Sequence, residues 1–148
     1  MKKVYLAGPL FNKAEKDFNL QVCKVLEDAG YNVFLPQRDG IESALVENMT
    51  GDEKAKKIFH EDTKAIYESD VLLMVLDGRV PDDGACVELG IAYALKKPCY
   101  GIKSDTRCIE SDLDINPMLT GCFTKIIKNL DGEKLLEDLK EYITANPL

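Results

Sequence analysis

Two acids stand where apolar side chains are expected. Between about Asp52 and Glu68, the residues Ala55, Ile58, Phe59, Asp62, Ala65 and Ile66 fall on one stripe at helical spacing, so Asp62 points where a core should be. An ionised carboxylate on such a face is costly without a partner. Either the surroundings form a polar pocket, or the acid keeps its proton, or Asp62 lies at the margin of the stripe and reaches solvent. Glu88 repeats the anomaly, sharing a face with Gly84, Ala92 and Leu95 in the first turns of the next helical stretch. The partial positive charge of a helix N-terminus favours an ionised side chain there, which suits a nucleophile or a base, or a surface glutamate that merely offsets the dipole. Asp82 and Asp83 precede this helix. One is expected to cap it, leaving the other to face a pocket. Pro81, Gly84 and Ala85 make a turn of little bulk that lets a ligand approach the backbone. Tyr5, opposite in phase to Val4 and Leu6, carries a hydroxyl that reaches this cluster or bonds within the core.

Two or three carboxylates without metal ligands, and without a Ser–His or Cys–His pair, fit glycosyl chemistry. One carboxylate attacks or stabilises an oxocarbenium-like carbon while another acid protonates the leaving group. Cys86 is a rival nucleophile near a helix start, but it has no basic partner in view and reads as a packed thiol. Neither G-x-x-x-x-G-K-[ST] nor G-x-G-x-x-G occurs, so nothing in the glycines supports a nucleoside triphosphate or a dinucleotide.

These residues must be positioned by alternating short apolar runs and helical stretches, the pattern of a βαβ series. Val4–Ala7 reads as the first strand, closed by Gly8-Pro9. Phe18, Val22, Val25, Leu26 and Ala29 mark a helix stopped by Gly30, and Tyr31 to Leu35 is the second strand. Gln37 to Gly51 shows no period and reads as a long mobile loop. The unbroken apolar run Val71–Leu76 is expected to be the central strand, buried on both faces. The helix Gly84 to Lys97 offers Val87, Ile91, Ala94 and Leu95 for packing, and strands follow at Pro98–Ile102 and Phe123–Ile127. Between those strands lies a second polar loop, Ser104 to Gly121, and Leu135, Leu136, Leu139 and Ile143 mark a closing helix. The expected fold is α/β: a flavodoxin-like, doubly wound sheet of five parallel strands with helices on both faces, binding its ligand beyond the carboxyl ends of the strands.

Composition narrows the partners. With 148 residues, 45% hydrophobic and 30% charged, the chain suffices for a single domain over residues 1–148 with a sizeable core. A net charge of −7 argues against nucleic acid or an anionic lipid surface as partner. The cysteines Cys23, Cys86, Cys99, Cys108 and Cys122 are odd in number and scattered, with His60 the single histidine, so neither a zinc site nor a disulfide framework is expected. The apolar start Val4–Phe11 is broken by Gly8-Pro9 and lacks a small-residue cleavage site. A cytoplasmic protein without a membrane segment is expected.

The blocks Tyr5-Leu6-Ala7-Gly8-Pro9-Leu10-Phe11, Asp62 eight residues before Asp70, Asp77 to Gly90, and Asn116-Pro117-Met118 occur in an order that resembles the nucleoside 2-deoxyribosyltransferases. The acid-x-Gly-x-x-x-Glu-x-Gly segment within Asp77–Gly90 is the most specific of them. The resemblance implies a flavodoxin-like fold and a ping-pong exchange of bases on a 2′-deoxynucleoside with retained configuration, using no cofactor and no metal. It implies that Glu88 is the nucleophile of a deoxyribosyl-enzyme intermediate, Asp62 an acid near the leaving base, and Tyr5 the group that orients Glu88. Asp82 would bind sugar hydroxyls, with Asp83 as its competitor, and Gly8, Gly84, Phe11 and the Gln37-Arg38 loop would contact substrate. Asn116 and Met118 resemble residues inserted into a neighbouring subunit's site, which implies a homo-oligomer of at least two chains. Without the resemblance, Asn116-Pro117 reads as a turn. The partners so implied are 2′-deoxynucleosides and free nucleobases. A nucleoside 5′-monophosphate N-glycosidase is the nearest alternative, although the loop Gly8–Asn12 lacks the Ser or Arg that a phosphate needs. A non-catalytic nucleotide-binding module is the alternative from another class.

Overall fold

The computed structural model describes residues 1–41, 43–107 and 113–148, which leaves Cys108 outside the described residues. In chain order the elements are β1 (Lys3–Ala7), α1 (Lys13–Asp28), β2 (Asn32–Phe34), α2 (Pro36–Asp39), α3 (Ser43–Val46), α4 (Gly51–Glu68), β3 (Val71–Val75), α5 (Asp83–Ala94), β4 (Cys99–Lys103), α6 (Pro117–Thr120), β5 (Lys125–Lys128) and α7 (Gly132–Ala145). Helix starts are chemically marked. Asn12 and Glu15 form a capping box on α1, Thr50 and Glu53 another on α4, and Asp131 caps α7. The α1 helix runs up to a turn in which Gly30 takes φ +89°.

All strand pairs are parallel and the order is β2-β1-β3-β4-β5, the doubly wound flavodoxin-like sheet. The chain moves outward from β1 to β2, then crosses back over β1 to β3. Since such crossovers are right-handed, reversing direction sends the helices to opposite faces. Val4 and Leu6 pack with α1 and α7, whereas Tyr5, Ala7, Leu72 and Met74 pack with α4 and α5. The expected central strand is β3, with all of Val71–Leu76 buried.

The expected loop Gln37 to Gly51 is not featureless, because it holds the end of α2 and all of α3. Pro36 starts α2, the Asp39 carboxylate accepts the Leu35 N–H at 2.8 Å, and Arg38 reaches Glu27 of α1 and the Val33 carbonyl. Four-residue helices span barely one turn, too little for an apolar pattern to repeat, so they leave no trace in it. The second loop likewise contains α6. On α5 the packing face differs from the expected one: Ala85, Leu89 and Ala92 are buried, whereas Val87, Ala94 and Leu95 are exposed and Ile91 is half-buried. That helix is apolar around most of its circumference, so periodicity does not single out one face. Among the described residues no helix is long and apolar enough to cross a membrane.

Gly8 ends β1 at the switch between β1 and β3, with φ +155°, and a Cβ there would lie 2.9 Å from the Val75 Cβ. Gly8→Ala is therefore expected to lower stability by about 2 kcal/mol or more, read from the midpoint of urea unfolding.

Candidate active site

The carboxyl edge of the sheet at the β1/β3 switch brings together residues far apart in sequence. Tyr5 lies on β1 facing the α4/α5 layer, fully buried, and its ring stacks on Phe34 of β2 with centroids 5.4 Å apart. The two residues are register partners across the β1–β2 pair, and strand alternation, the one sequence signal that points to Phe34, puts both rings on the same face. The Tyr5 hydroxyl donates to Glu88 Oε1 at 2.7 Å. Burial, then the charges of Glu88 and Asp62, push the Tyr5 hydroxyl far above the ordinary phenol range, so it stays a donor.

Glu88 lies in the second turn of α5, just beyond β3. Burial pushes its carboxyl from the ordinary 4.5 up to about 8; the Tyr5 hydrogen bond opposes this, and the charges of Asp62 and Asp82 add to it. Asp62 is raised too, by burial and then by Glu61. Of the expected Asp62 stripe, Ala65 and Ile66 are buried while Ala55, Ile58 and Phe59 are exposed. The 18-residue α4 is about 27 Å long against roughly 17 Å for a five-residue strand, so its first half overhangs the carboxyl edge. Asp62 sits where the buried and overhanging halves meet.

Between α4 and α5 opens a cleft of about 470 Å³, lined by Ala55, Ile58, Phe59, Asp62, Thr63, Ile66, Gly84, Val87, Glu88 and Ile91. The Thr63 hydroxyl is turned back onto the carbonyls of Phe59 and His60, which leaves Asp62 and Glu88 as the acids of an otherwise apolar wall. Asp82 caps α5, its Oδ2 accepting the Ala85 N–H at 2.8 Å, and it is also the one whose charge acts on Glu88. The expected division of labour between Asp82 and Asp83 thus fails. Asp83 is exposed and accepts the neighbouring Gly84 N–H, while capping engages only one of the two oxygens of Asp82. A Cβ on Gly84 would lie 3.2 Å from that capping oxygen, a tight contact that Asp82 would have to relieve by shifting. Burial and the charges of Asp82 and Asp83 raise the Cys86 thiol, which fits the packed-thiol reading.

Tyr5, Asp62, Asp82, Gly84 and Glu88 therefore come together, and Gly8 ends β1 at the same edge of the sheet, whereas the side chains of Gln37 and Asn116 are engaged elsewhere in this chain. Gln37 is spent on α1, its Nε2 donating to the Lys16 carbonyl at 2.9 Å and its Oε1 accepting from Asn19 at 3.0 Å. Phe11 is 75% exposed. Asn116 caps the short helix α6 by accepting the Met118 N–H at 2.9 Å, where a plain turn was the alternative expectation, and Met118 is 79% exposed. Among the described residues no three His, Cys, Asp or Glu side chains converge as metal ligands would.

A family model described as Nucleoside 2-deoxyribosyltransferase matches residues 4–140. No curated protein matches the chain in sequence. Among solved structures, a conserved protein from Enterococcus faecalis V583 is 26% identical, with a TM-score of 0.76 over 95% of this chain and 98% of that one. A 2-deoxyribosyltransferase from Bacillus psychrosaccharolyticus is also 26% identical, with a TM-score of 0.76 over 97% of this chain and 93% of that one. A CMP N-glycosidase from Clostridium botulinum shares the fold at 22% identity, with a TM-score of 0.65 over 95% and 99% of the two chains.

A raised carboxyl binds its proton more tightly folded than unfolded. Its contribution to stability is thus complete below the ordinary value of 4.5 and is lost as pH rises through about 8. Glu88→Gln keeps an oxygen for the Tyr5 hydroxyl but carries no charge. The variant is expected to exceed the wild type by about 2 kcal/mol at high pH and to match it in mild acid. Urea midpoints at both ends of the range test this, and an equal difference at the two ends would remove burial of charge as the cause.

Proposed function

The chain belongs to the nucleoside 2-deoxyribosyltransferase family, and on that premise we propose that residues 1–148 act as one catalytic domain that moves a 2-deoxyribosyl group between nucleobases. The observation that carries this reading is the half-buried Glu88 carboxyl, held at Oε1 by the Tyr5 hydroxyl at the mouth of an apolar cleft with Asp62 across it. In the proposed reaction the proton that Glu88 holds at rest passes to Asp62 as substrate binds, and the ionised Glu88 attacks C1′ of a 2′-deoxynucleoside through Oε2. The C1′–N bond breaks, its electron pair passes to the base nitrogen, and Asp62 delivers the proton to the departing base. A second base then attacks C1′ from the vacated face, Asp62 takes its proton, and the ester to Glu88 opens. Two inversions give retention. A 2′-deoxyribosyl cation lacks the electron-withdrawing 2′-hydroxyl, so a carboxylate and one proton donor suffice. Asp82 keeps its Oδ1 for sugar hydroxyls while Oδ2 caps α5.

Exclusion of water during the intermediate falls to a neighbouring subunit in this reading. Exposed apolar side chains on the cleft face, Phe59 at 63% and Val87 at 57%, support a homo-oligomer in which Asn116 and Met118 complete the adjacent site. The role that follows is nucleoside salvage in the cytoplasm. Against the nucleotide-hydrolysing alternative stands the β1–α1 loop. The backbone N–H groups of Phe11 and Asn12, which a 5′-phosphate would use, already donate to Glu15 Oε2 at 2.8 and 3.1 Å.

Purified protein given 2′-deoxyinosine and free adenine or cytosine, in phosphate-free buffer with EDTA, is expected to form the new deoxynucleoside by chromatography. Glu88→Ala should lower exchange by about 10³-fold or more, and Asp62→Asn by about 10²-fold at neutral pH. Release of free base from deoxynucleoside monophosphates, with no exchange on nucleosides, would establish the glycosidase instead.

A further inference from the structure

Two carboxylates outside the cleft are fully engaged, and neither lines it. Asp77 follows the end of β3; its Oδ1 accepts the N–H groups of Ser104 and Asp105 at 2.7 and 2.9 Å, and its Oδ2 accepts from the Ser104 hydroxyl. Asp105 answers from the other loop, its Oδ2 accepting the Gly78 N–H at 3.1 Å and its Oδ1 the Arg107 N–H at 2.9 Å. Below them the buried Lys103 ammonium pairs with Asp114 at 2.9 Å and donates to the carbonyls of Asp105 and Arg107, so the segment that Asp77 grips is itself held.

These bonds lie beyond the β3–β4 ladder, whose last rung is the Leu76 N–H on the Ile102 carbonyl. They therefore hold loops rather than complete the sheet. The loop after Asp77 turns tightly enough to need glycine: Gly78 takes φ +135°, and a Cβ there would lie 2.7 Å from the Val80 carbonyl oxygen. It ends at Asp82, the cap of α5, six residues before Glu88.

We infer that Asp77 is a positioning residue of the site: by fastening the loop after β3 to the loop after β4, it sets where the turn 78–82 delivers Asp82 and the first turn of α5 relative to Tyr5 and Asp62. The inference rests on the transferase reading for its kinetic consequences. The groups facing Glu88 are Tyr5, Asp62 and Asp82, and of these only Asp82 hangs on the turn.

The test compares Asp77→Ala, Asp77→Asn and Ser104→Ala with the wild type. Asp77→Ala, folded by circular dichroism, is expected to lose tenfold or more in kcat for base exchange with a smaller change in KM. The acid limb of its kcat/KM profile should move to lower pH, because the Asp82 charge that holds the Glu88 proton has moved away. Asp77→Asn, which keeps an oxygen for the two backbone N–H groups, should restore most of the rate, and Ser104→Ala should lie between. Wild-type kcat and an unmoved acid limb in Asp77→Ala overturn the inference; if that variant does not fold, the same result in Ser104→Ala does so. A wild type that exchanges no base fails the transferase reading alone. The Ala85 amide, which donates to Asp82, then decides: hydrogen exchange there is expected to be tenfold faster or more in Asp77→Ala or Ser104→Ala, and unchanged protection rejects the clamp.

Discussion

A carboxyl group taken out of water with one side-chain donor to hold it constrains everything around it. Glu88 has the Tyr5 hydroxyl at 2.7 Å, and burial outweighs that bond, so the folded protein keeps the carboxyl proton to about pH 8. Holding such a group costs stability, and the neighbouring structure limits where the cost falls. Phe34 stacks on Tyr5 so that the hydroxyl has a fixed direction. Gly84 keeps the cap of α5 uncrowded, and the overhanging half of α4 forms the opposite wall.

Only the strand order lets this pair form. Tyr5 and Glu88 are 83 residues apart, yet β1 and β3 are neighbours because the chain first places β2 outside β1 and then crosses back. The same reversal puts α4 and α5 together on one face, which brings Asp62 opposite Glu88. The switch point thus acts as the assembly device for three carboxylates drawn from two helices and the loop between strand and helix.

How much of this was legible follows from what each signal measures. Apolar runs and helical spacing report burial, so the five strands, the central β3 and the inward phase of Tyr5 were readable. Asp62 and Glu88 were legible because each violates that pattern, and a violation at the binding edge of a parallel sheet is informative. The packing face of α5 was not readable, since an almost wholly apolar helix has no phase to measure. Helices α2, α3 and α6 are too short to carry one. Gln37 failed for another reason: its amide is consumed by contacts with Lys16 and Asn19 across a loop, and nothing local in sequence encodes such a pairing. Asp77 looks like any acid after a strand until the loop it grips is in place.

The placement of protons gives the proposed mechanism an internal logic. The Asp62 charge raises Glu88, and because electrostatic coupling is reciprocal, a charge on Glu88 must raise Asp62 as well. The reactive arrangement, with Glu88 ionised and Asp62 protonated, therefore supports itself: the nucleophile's charge keeps the acid's proton in place. When Glu88 forms an ester with C1′ that charge disappears, and Asp62 becomes more acidic at the moment the departing base becomes more basic. The reverse half-reaction regenerates the charge on Glu88, so Asp62 reclaims a proton as the second base bonds to C1′. A surface pair at the same separation would be screened by water and would lose most of this coupling. The burial that destabilises Glu88 in the resting protein is thus the same condition that links its covalent step to proton transfer.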